Sequence, residues 1–454
     1  MAYSSTKGRR PIERASKISH AEIINNQNVR ALLDRCTIPS APRGQDVPPL
    51  TVSVETPDRS SIATVVAVDG GYRETFVREE FPSASVTFIV FGPLLFQLED
   101  LRSIDAQAFI APEDIERLKN IERFTLALPT RNVILDGASS LSESVRKTLF
   151  EALGARRPPD EPLIDALRWL IFREWLKDDG KLREWTLPSC PNRGCGARDL
   201  TLRRDTPNES KCPTCGGPIY VTDVLRLHEV ITDDQGAGGI LGYLITFLEQ
   251  LVIVHVIKSV LRLRPDLLRE ILFVKDGPLA FFGQTAPLHR PMRELVLFLL
   301  NQSPSGNQHQ PAILNLVGIE KSGPFVEHAM LIEDHIPKGN ALLLSDEYIY
   351  RYIVPGDATT QNYGTNTYYG RKLIYRSPEG STYVVTVPTI TETKSPSIAD
   401  FPNLNDILSV LGQLRCSMYD NALIPIALAN KLVSLSEYPG QRILEAFARE
   451  QVAP

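Results

Sequence analysis

Four of the chain's six cysteines crowd between Cys190 and Cys215, as Cys190-Pro-Asn-Arg-Gly-Cys195 and Cys212-Pro-Thr-Cys215. Two short chelating knuckles, each followed by glycine, have the spacing with which thiolates hold a tetrahedral Zn²⁺. Four cysteines close the shell and leave no position for substrate. The zinc is therefore expected to be structural, supplying folding energy that so polar a segment lacks. The alternative is two unrelated cysteine pairs in a reducing compartment. His228 becomes a ligand only if one cysteine is unused; otherwise it is a surface or helix histidine.

Two carboxylates offer a second chemistry. Asp69 follows the apolar run Thr64–Val68, and Asp276 follows Ile271–Lys275. Each is expected at the end of a buried strand, where a rigid backbone aims a side chain into a cleft. Acidic strand ends suit divalent cations, because two hard ions about 3.5–4 Å apart need several oxygen ligands before they can activate water. Asp-Gly is also the commonest short hairpin signal, and each site has that alternative. At Asp276 the following Gly-Pro-Leu-Ala-Phe-Phe does not return as an alternating partner strand.

The elements that must position these groups form an α/β pattern. Val86–Leu98, Ala312–Ser322, Asn340–Val354, Arg371–Ser377 and Thr382–Pro388 read as strands. Helical spacing or start signals mark His20–Arg35, Ala111–Phe124, Ser140–Leu153, Leu163–Trp185, Ile240–Leu261, Asn403–Leu414 and Ala422–Glu437. Thr359–Tyr369 reads as a loop or wide hairpin. The expected units are an N-terminal arm and short helix over 1–55, a first core segment over 56–154, a helical and cysteine-rich insertion over 155–235, and a second core segment over 236–454. At 454 residues, with 43% hydrophobic and 23% charged residues, the chain is neither disordered nor collagen-like. A net charge of −5 restricts any nucleic-acid site to a local patch. The basic start lacks the apolar stretch of a secretory signal, and Ile240–Leu261 carries Glu249, Gln250, His255 and Lys258, so a cytoplasmic location with no membrane segment is expected.

With these motifs in place, the chain resembles the NurA-domain nucleases, which have an RNase H-like core and act with HerA-type hexameric ATPases. Val66–Tyr72 (VAVDGGY) resembles that family's opening Asp-Gly strand, and Phe273–Phe281 (FVKDGPLAF) its second. Val317–Gly323 (VGIEKSG) is similar to the Gly-x-x-Lys segment that follows, and Ile424–Ser436 to the closing helix, all in family order. The resemblance implies an α/β fold, an RNase H-like mixed sheet flanked by helices, with the helical and four-cysteine zinc-ribbon segment as an insertion.

It also implies that Asp69 and Asp276 bind Mn²⁺ or Mg²⁺, joined by a glutamate on the helix before the second strand. Glu249 is the choice, because its charge interrupts an apolar helix; Glu270 is the rival. Lys321 would neutralise phosphate charge, although a solvent-facing lysine after a strand is an ordinary feature. The closing helix of the family offers a histidine, whereas this chain has Asn430 there and no histidine after His335. Asp420, at the start of this helix, is a possible substitute ligand.

The expected function is a Mn²⁺- or Mg²⁺-dependent deoxyribonuclease. By resemblance it is a homodimer working with a HerA-type ATPase on DNA ends or in phage defence, with apolar helices such as Ile240–Leu261 as candidate contacts. The alternative is a catalytically impaired zinc-ribbon adaptor that only binds DNA or the ATPase, which the missing late histidine favours. Arg193, Arg198, Arg203 and Arg204 flank the ribbon and suit phosphate contact, although ribbons also serve as docking modules. The chain has no Gly-x-Gly-x-x-Gly, phosphate loop or Gly-x-Ser-x-Gly elbow, so ATP hydrolysis would belong to a partner.

Overall fold

The β-branched runs make the frame of the protein, and a computed structural model describes it over residues 18–40, 51–55, 60–100, 123–156, 161–176, 183–301, 313–415, 423–435 and 440–452. The basic arm, most of the Pro-rich stretch, all but the end of the helix expected over Ala111–Phe124, and Asp420 lie outside these residues.

In chain order, helices α1 (Ile18–Asn25) and α2 (Gln27–Leu33) precede strands β1 (Thr51–Ser53), β2 (Thr64–Arg78), β3 (Ala84–Gln97) and β4 (Phe124–Arg131). Helices α3 (Leu141–Gly154) and α4 (Leu163–Ile171) lead to two small hairpins, β5 (Glu184–Ser189) with β6 (Arg198–Arg203), and β7 (Glu209–Lys211) with β8 (Pro218–Tyr220). Helix α5 (Leu241–Leu263), strand β9 (Ile271–Asp276), helix α6 (His289–Leu300) and strand β10 (Asn315–Glu320) follow. Helix α7 (Pro324–Ile332), β11 (Asn340–Leu343), α8 (Asp346–Tyr352), β12 (Arg371–Arg376) and β13 (Thr382–Val387) come next, before helices α9 (Leu404–Gln413), α10 (Ile424–Val433) and α11 (Gly440–Gln451).

Among the described residues, nine strands form one mixed sheet in the order β1-β11-β12-β13-β10-β9-β2-β3-β4. β10, β9 and β2 run parallel to their neighbours within that trio, and every other pairing is antiparallel. The section β4-β3-β2-β9-β10, an antiparallel meander extended by two parallel strands, has the strand order and directions expected of an RNase H-like mixed sheet. Its central strands are apolar on both faces because helices cover both sides. Val66, Val68 and Phe273 join the core under α3 to α6, while Val65, Ala67, Leu272 and Val274 join the core under α9 and α10.

Helix α5 lies in the larger core. With Gly238–Ile240 it makes a segment long and apolar enough to cross a membrane, yet 78% of its most apolar window is buried inside the protein. Phe247, Leu248 and Leu251 are each at most 1% exposed, a burial contributing roughly 2 kcal/mol per side chain. Most of its apolar residues are spent within the fold, which leaves only its last turns, with Leu263 71% exposed, open to the partner contact suggested above.

Several local expectations change. β2 does not stop at Asp69 but runs on to Arg78, paired with β3 throughout; only its pairing with β9 ends, at Val68 opposite Lys275. The segment Asn340–Val354 divides into β11 and α8, because the Ser345 hydroxyl accepts the Tyr348 amide and starts a helix. The helix expected over Leu163–Trp185 ends at Ile171, and Trp185 lies in β5. The start signal at α3 holds: Ser140 caps the Glu143 amide, and Glu143 reaches back to Ser139.

Candidate metal centre and cysteine cluster

The register of the three parallel strands puts the two distant aspartates side by side. Val68 pairs with Lys275, and Asp276 pairs with Ile319, so Asp69, Asp276 and the residues after β10 share one edge of the sheet. Asp69 is 3% exposed and Asp276 is partly exposed.

Glycines admit the helices that complete the site. A Cβ on Gly70 would stand 3.3 Å from Ile245 and 3.6 Å from Glu249 Oε1, both on α5. A Cβ on Gly71 would stand 2.6 Å from the Val433 carbonyl at the end of α10. The Asp-Gly-Gly sequence thus lets one helix approach β2 from each face, one carrying Glu249 and the other Asn430. Gly318 does the same for the second Asp-Gly turn, since a Cβ there would lie 2.5 Å from the Gly277 carbonyl. Gly277 itself has φ +83°, a conformation costly for other residues. Gln250, beside Glu249, donates to the Ala280 carbonyl at 3.0 Å and fixes α5 against the segment following Asp276.

The polar contacts are continuous. Asp69 Oδ1 accepts the Gly70 amide at 2.8 Å. With the Asn430 amide oriented so that its nitrogen faces the carboxylate, it donates to Asp69 Oδ2 at 2.7 Å and accepts from Lys321 Nζ at 2.6 Å. Lys321 in turn binds Asp276 Oδ2 at 2.7 Å. Beneath them, Lys275 Nζ lies 2.9 Å from Glu249 Oε2 and donates to the Asp276 carbonyl at 2.5 Å.

Burial, followed by the charges of Asp276 and Glu249, pushes Asp69 up to about 7; the Gly70 amide and Lys321 oppose the shift. Burial likewise raises Glu249, against the pull of Lys275. Three carboxylates gathered with an amide make a set of hard oxygen donors of the kind that suits Mg²⁺ or Mn²⁺. Among the described residues they do not draw their oxygens together as closely as the cysteines draw their sulfurs, and the two lysines lie against Glu249 and Asp276.

Glu270 is excluded from this group. It is exposed at the opposite end of β9, where its carbonyl accepts the Ala63 amide. Lys275 was not anticipated as a member; the signal was a lone charge within an otherwise apolar strand.

At the hairpins, Cys190, Cys195, Cys212 and Cys215 bring their sulfurs within 4.8 Å of one another. The Cys195–Cys212 and Cys190–Cys215 sulfurs lie 3.7 and 4.0 Å apart, bracketing the ~3.8 Å edge of a tetrahedron with 2.3 Å metal–sulfur bonds. Backbone amides of Asn192, Ala197, Thr214 and Cys215 face the sulfurs; those of Cys215 and Thr214 draw Cys212 down to about 6, whereas burial pushes the Cys190 thiol up. Gly194, Gly196 and Gly216 supply the positive φ angles of the tight turns. Four cysteines complete this cluster without His228, whose ring burial pushes its pKa down.

Arg146 on α3 anchors the cluster to the core. It binds both oxygens of Asp223 at 2.7 and 2.8 Å, the Pro218 carbonyl at 2.9 Å and Asn192 at 3.4 Å, while Asn192 donates to Cys190 Sγ at 3.4 Å. Of the flanking arginines, Arg193, Arg203 and Arg204 pair with Asp233, Glu184 and Glu174; Arg198 is exposed. The ribbon surface is thus less positive than its arginine content suggests.

No protein-family model matches the sequence, and no curated protein matches it. Among solved structures, one described as "Crystal structure of NurA" is a distant match at 11% identity, covering 96% of this chain and 95% of that chain with a TM-score of 0.26.

Proposed function

We propose that the chain is a divalent-metal-dependent deoxyribonuclease of the NurA type, with Asp69, Asp276 and Glu249 holding Mn²⁺ or Mg²⁺. The observation that carries this reading is the meeting of these three carboxylates with Lys321 and Asn430 at one sheet edge, from segments scattered along the chain. When bound, the divalent ion supplies Lewis acidity, which activates water and offsets charge on a phosphodiester. Asp69 and Asp276 fix the ligand oxygens on rigid strands, and Glu249 closes the donor set from the α5 face. Lys321, partly exposed beside Asp276, places an ammonium where a phosphate oxygen can approach. Zn²⁺ in the four-cysteine cluster would hold the two hairpins together and leave no open position for substrate.

Working with a HerA-type hexameric ATPase, as a homodimer acting on DNA ends or in phage defence, completes the proposal; its support is the order of the sequence motifs.

A second reading has its own observation. Asn430 binds Asp69 where a histidine was expected, and two lysines lie on the other carboxylates, which suits an adaptor that binds DNA or the ATPase without cutting. Purified protein incubated with linear single- and double-stranded DNA and Mn²⁺ or Mg²⁺ separates the two. The nuclease loses roughly a hundredfold or more of its cutting in Asp69→Asn and Asp276→Asn. Undiminished cutting in both variants would refute the assigned site, and no cutting by the native chain under any condition favours the adaptor.

A further inference from the structure

Lys275 has no role in the reading above, and its position is unusual. It is a lysine in the middle of the sheet, its side chain 3% exposed. It lies on β9 between β2 and β10, with Nζ 2.9 Å from Glu249 Oε2 and 2.5 Å from the carbonyl of Asp276. The Gly277 turn packs over this ammonium: a Cβ there would stand 3.5 Å from Nζ, in ordinary van der Waals contact. The amine is thus wedged between two members of the carboxylate group, and the strands and α5 leave it no route to water.

Lys321 differs in kind. It follows β10, its side chain is 37% exposed, and it can swing away from Asp276 when another cation or a phosphate arrives.

We propose that Lys275 is an internal counter-cation standing in for a second divalent ion, so that this carboxylate site takes one divalent metal ion per chain. The inference rests on the metal-site reading under Proposed function and specifies its stoichiometry. When ionised, Asp69, Asp276 and Glu249 carry three negative charges, and Lys275 removes one. With Lys321 turned aside, a single divalent ion brings the group to neutrality. A second would leave two positive charges in a mostly buried pocket, more than one phosphodiester can offset, and uncompensated buried charge is strongly unfavourable. Geometry agrees with the charge count: Lys275 Nζ stands 2.9 Å from Glu249 Oε2, so that carboxylate already faces a cation.

The test is Mn²⁺ binding by the full-length, zinc-loaded protein, followed by equilibrium dialysis and electron paramagnetic resonance. One tightly bound Mn²⁺ per chain, lost in the Asp69→Asn, Asp276→Asn double variant, is expected, with the spectrum of an isolated ion. Lys275→Met should admit a second ion or tighten the first by roughly tenfold, the second ion giving an exchange-coupled spectrum. Two tightly bound, coupled ions in the native protein would overturn the role of Lys275 while leaving the metal site standing. One ion with unchanged affinity in a folded Lys275→Met would also overturn it. Absence of site-specific binding in the native protein would overturn both this inference and the nuclease reading. If Lys275→Met does not fold, the native stoichiometry and spectrum decide.

Discussion

The carbonyl oxygen of Val433 lies 2.6 Å from where a Cβ on Gly71 would stand. This contact brings the end of α10, and with it Asn430, onto the strand that carries Asp69. Gly71→Ala should push α10 outward and cost about 1–3 kcal/mol, the usual range for forcing extra volume into a packed contact. Denaturant unfolding measures the loss; an unchanged midpoint would show that α10 yields freely. Metal-dependent cleavage should fall with it if Asn430 positions Asp69.

The stability of the metal-free protein should decline as pH rises from about 4 to 7. Asp69 has its folded pKa raised from 3.8 to about 7. In that window the native state holds a proton that the unfolded chain has released, so raising pH favours unfolding. The contribution is complete below pH 4 and gone above 7. Asp69→Asn should reduce this slope, leaving the part due to Glu249, and be more stable than the native chain at pH 8 by up to a few kcal/mol. Urea titrations in divalent-free buffer, with zinc retained, supply the comparison. Added Mn²⁺ should stabilise the native chain at pH 8 and leave the variant unchanged.

Lys321→Ala should cut DNA cleavage about tenfold or more while shifting the unfolding midpoint little, because its side chain is 37% exposed and its ion pair is largely solvated. Equal losses of activity and stability would recast the lysine as structural.

Asn430→His restores the histidine that the sequence resemblance implies at this position. Its ring would stand against Asp69, where the amide now lies at 2.7 Å. Mn²⁺ affinity, followed by calorimetry, should rise by roughly tenfold as an imidazole ligand is added. An unchanged affinity would place Asn430 outside the coordination shell.

Removing the ribbon metal should loosen the two hairpins that it holds together. Cys212→Ser breaks the four-sulfur shell, and Asn192 links that shell to Arg146 on α3. The variant should lose its stoichiometric zinc and open the segment around residues 184–220 to protease at native temperature. Full zinc content by elemental analysis would contradict the assignment.

The residues of the candidate site stood out in the sequence wherever their chemistry clashed with their surroundings. Asp69 and Asp276 interrupt β-branched runs, Glu249 interrupts an apolar helix, and the cysteines keep a chelating spacing. What was hidden depended on approach in three dimensions. The Gly71–Val433 contact joins residues far apart, and Lys275 acts by folding back over its own turn onto another helix. The Asp346–Tyr352 stretch misled for a local reason: aromatic and β-branched residues there suit a strand, yet the Ser345 cap and packing of Tyr348 and Ile349 turn it into a helix. Long β2 was misjudged at Asp69 because Gly-Gly reads as a turn, whereas here it clears space for helices on a strand that continues.

The parallel pairing of β2 with β9 joins residues some two hundred positions apart, Val68 to Lys275, and α10 adds Asn430 from later still in the sequence. A chain emerging from the ribosome therefore cannot unite its two aspartates until β9 is exposed, and gains its amide only once α10 has followed. Translation products that stop short of α10 would lack a finished acidic pocket.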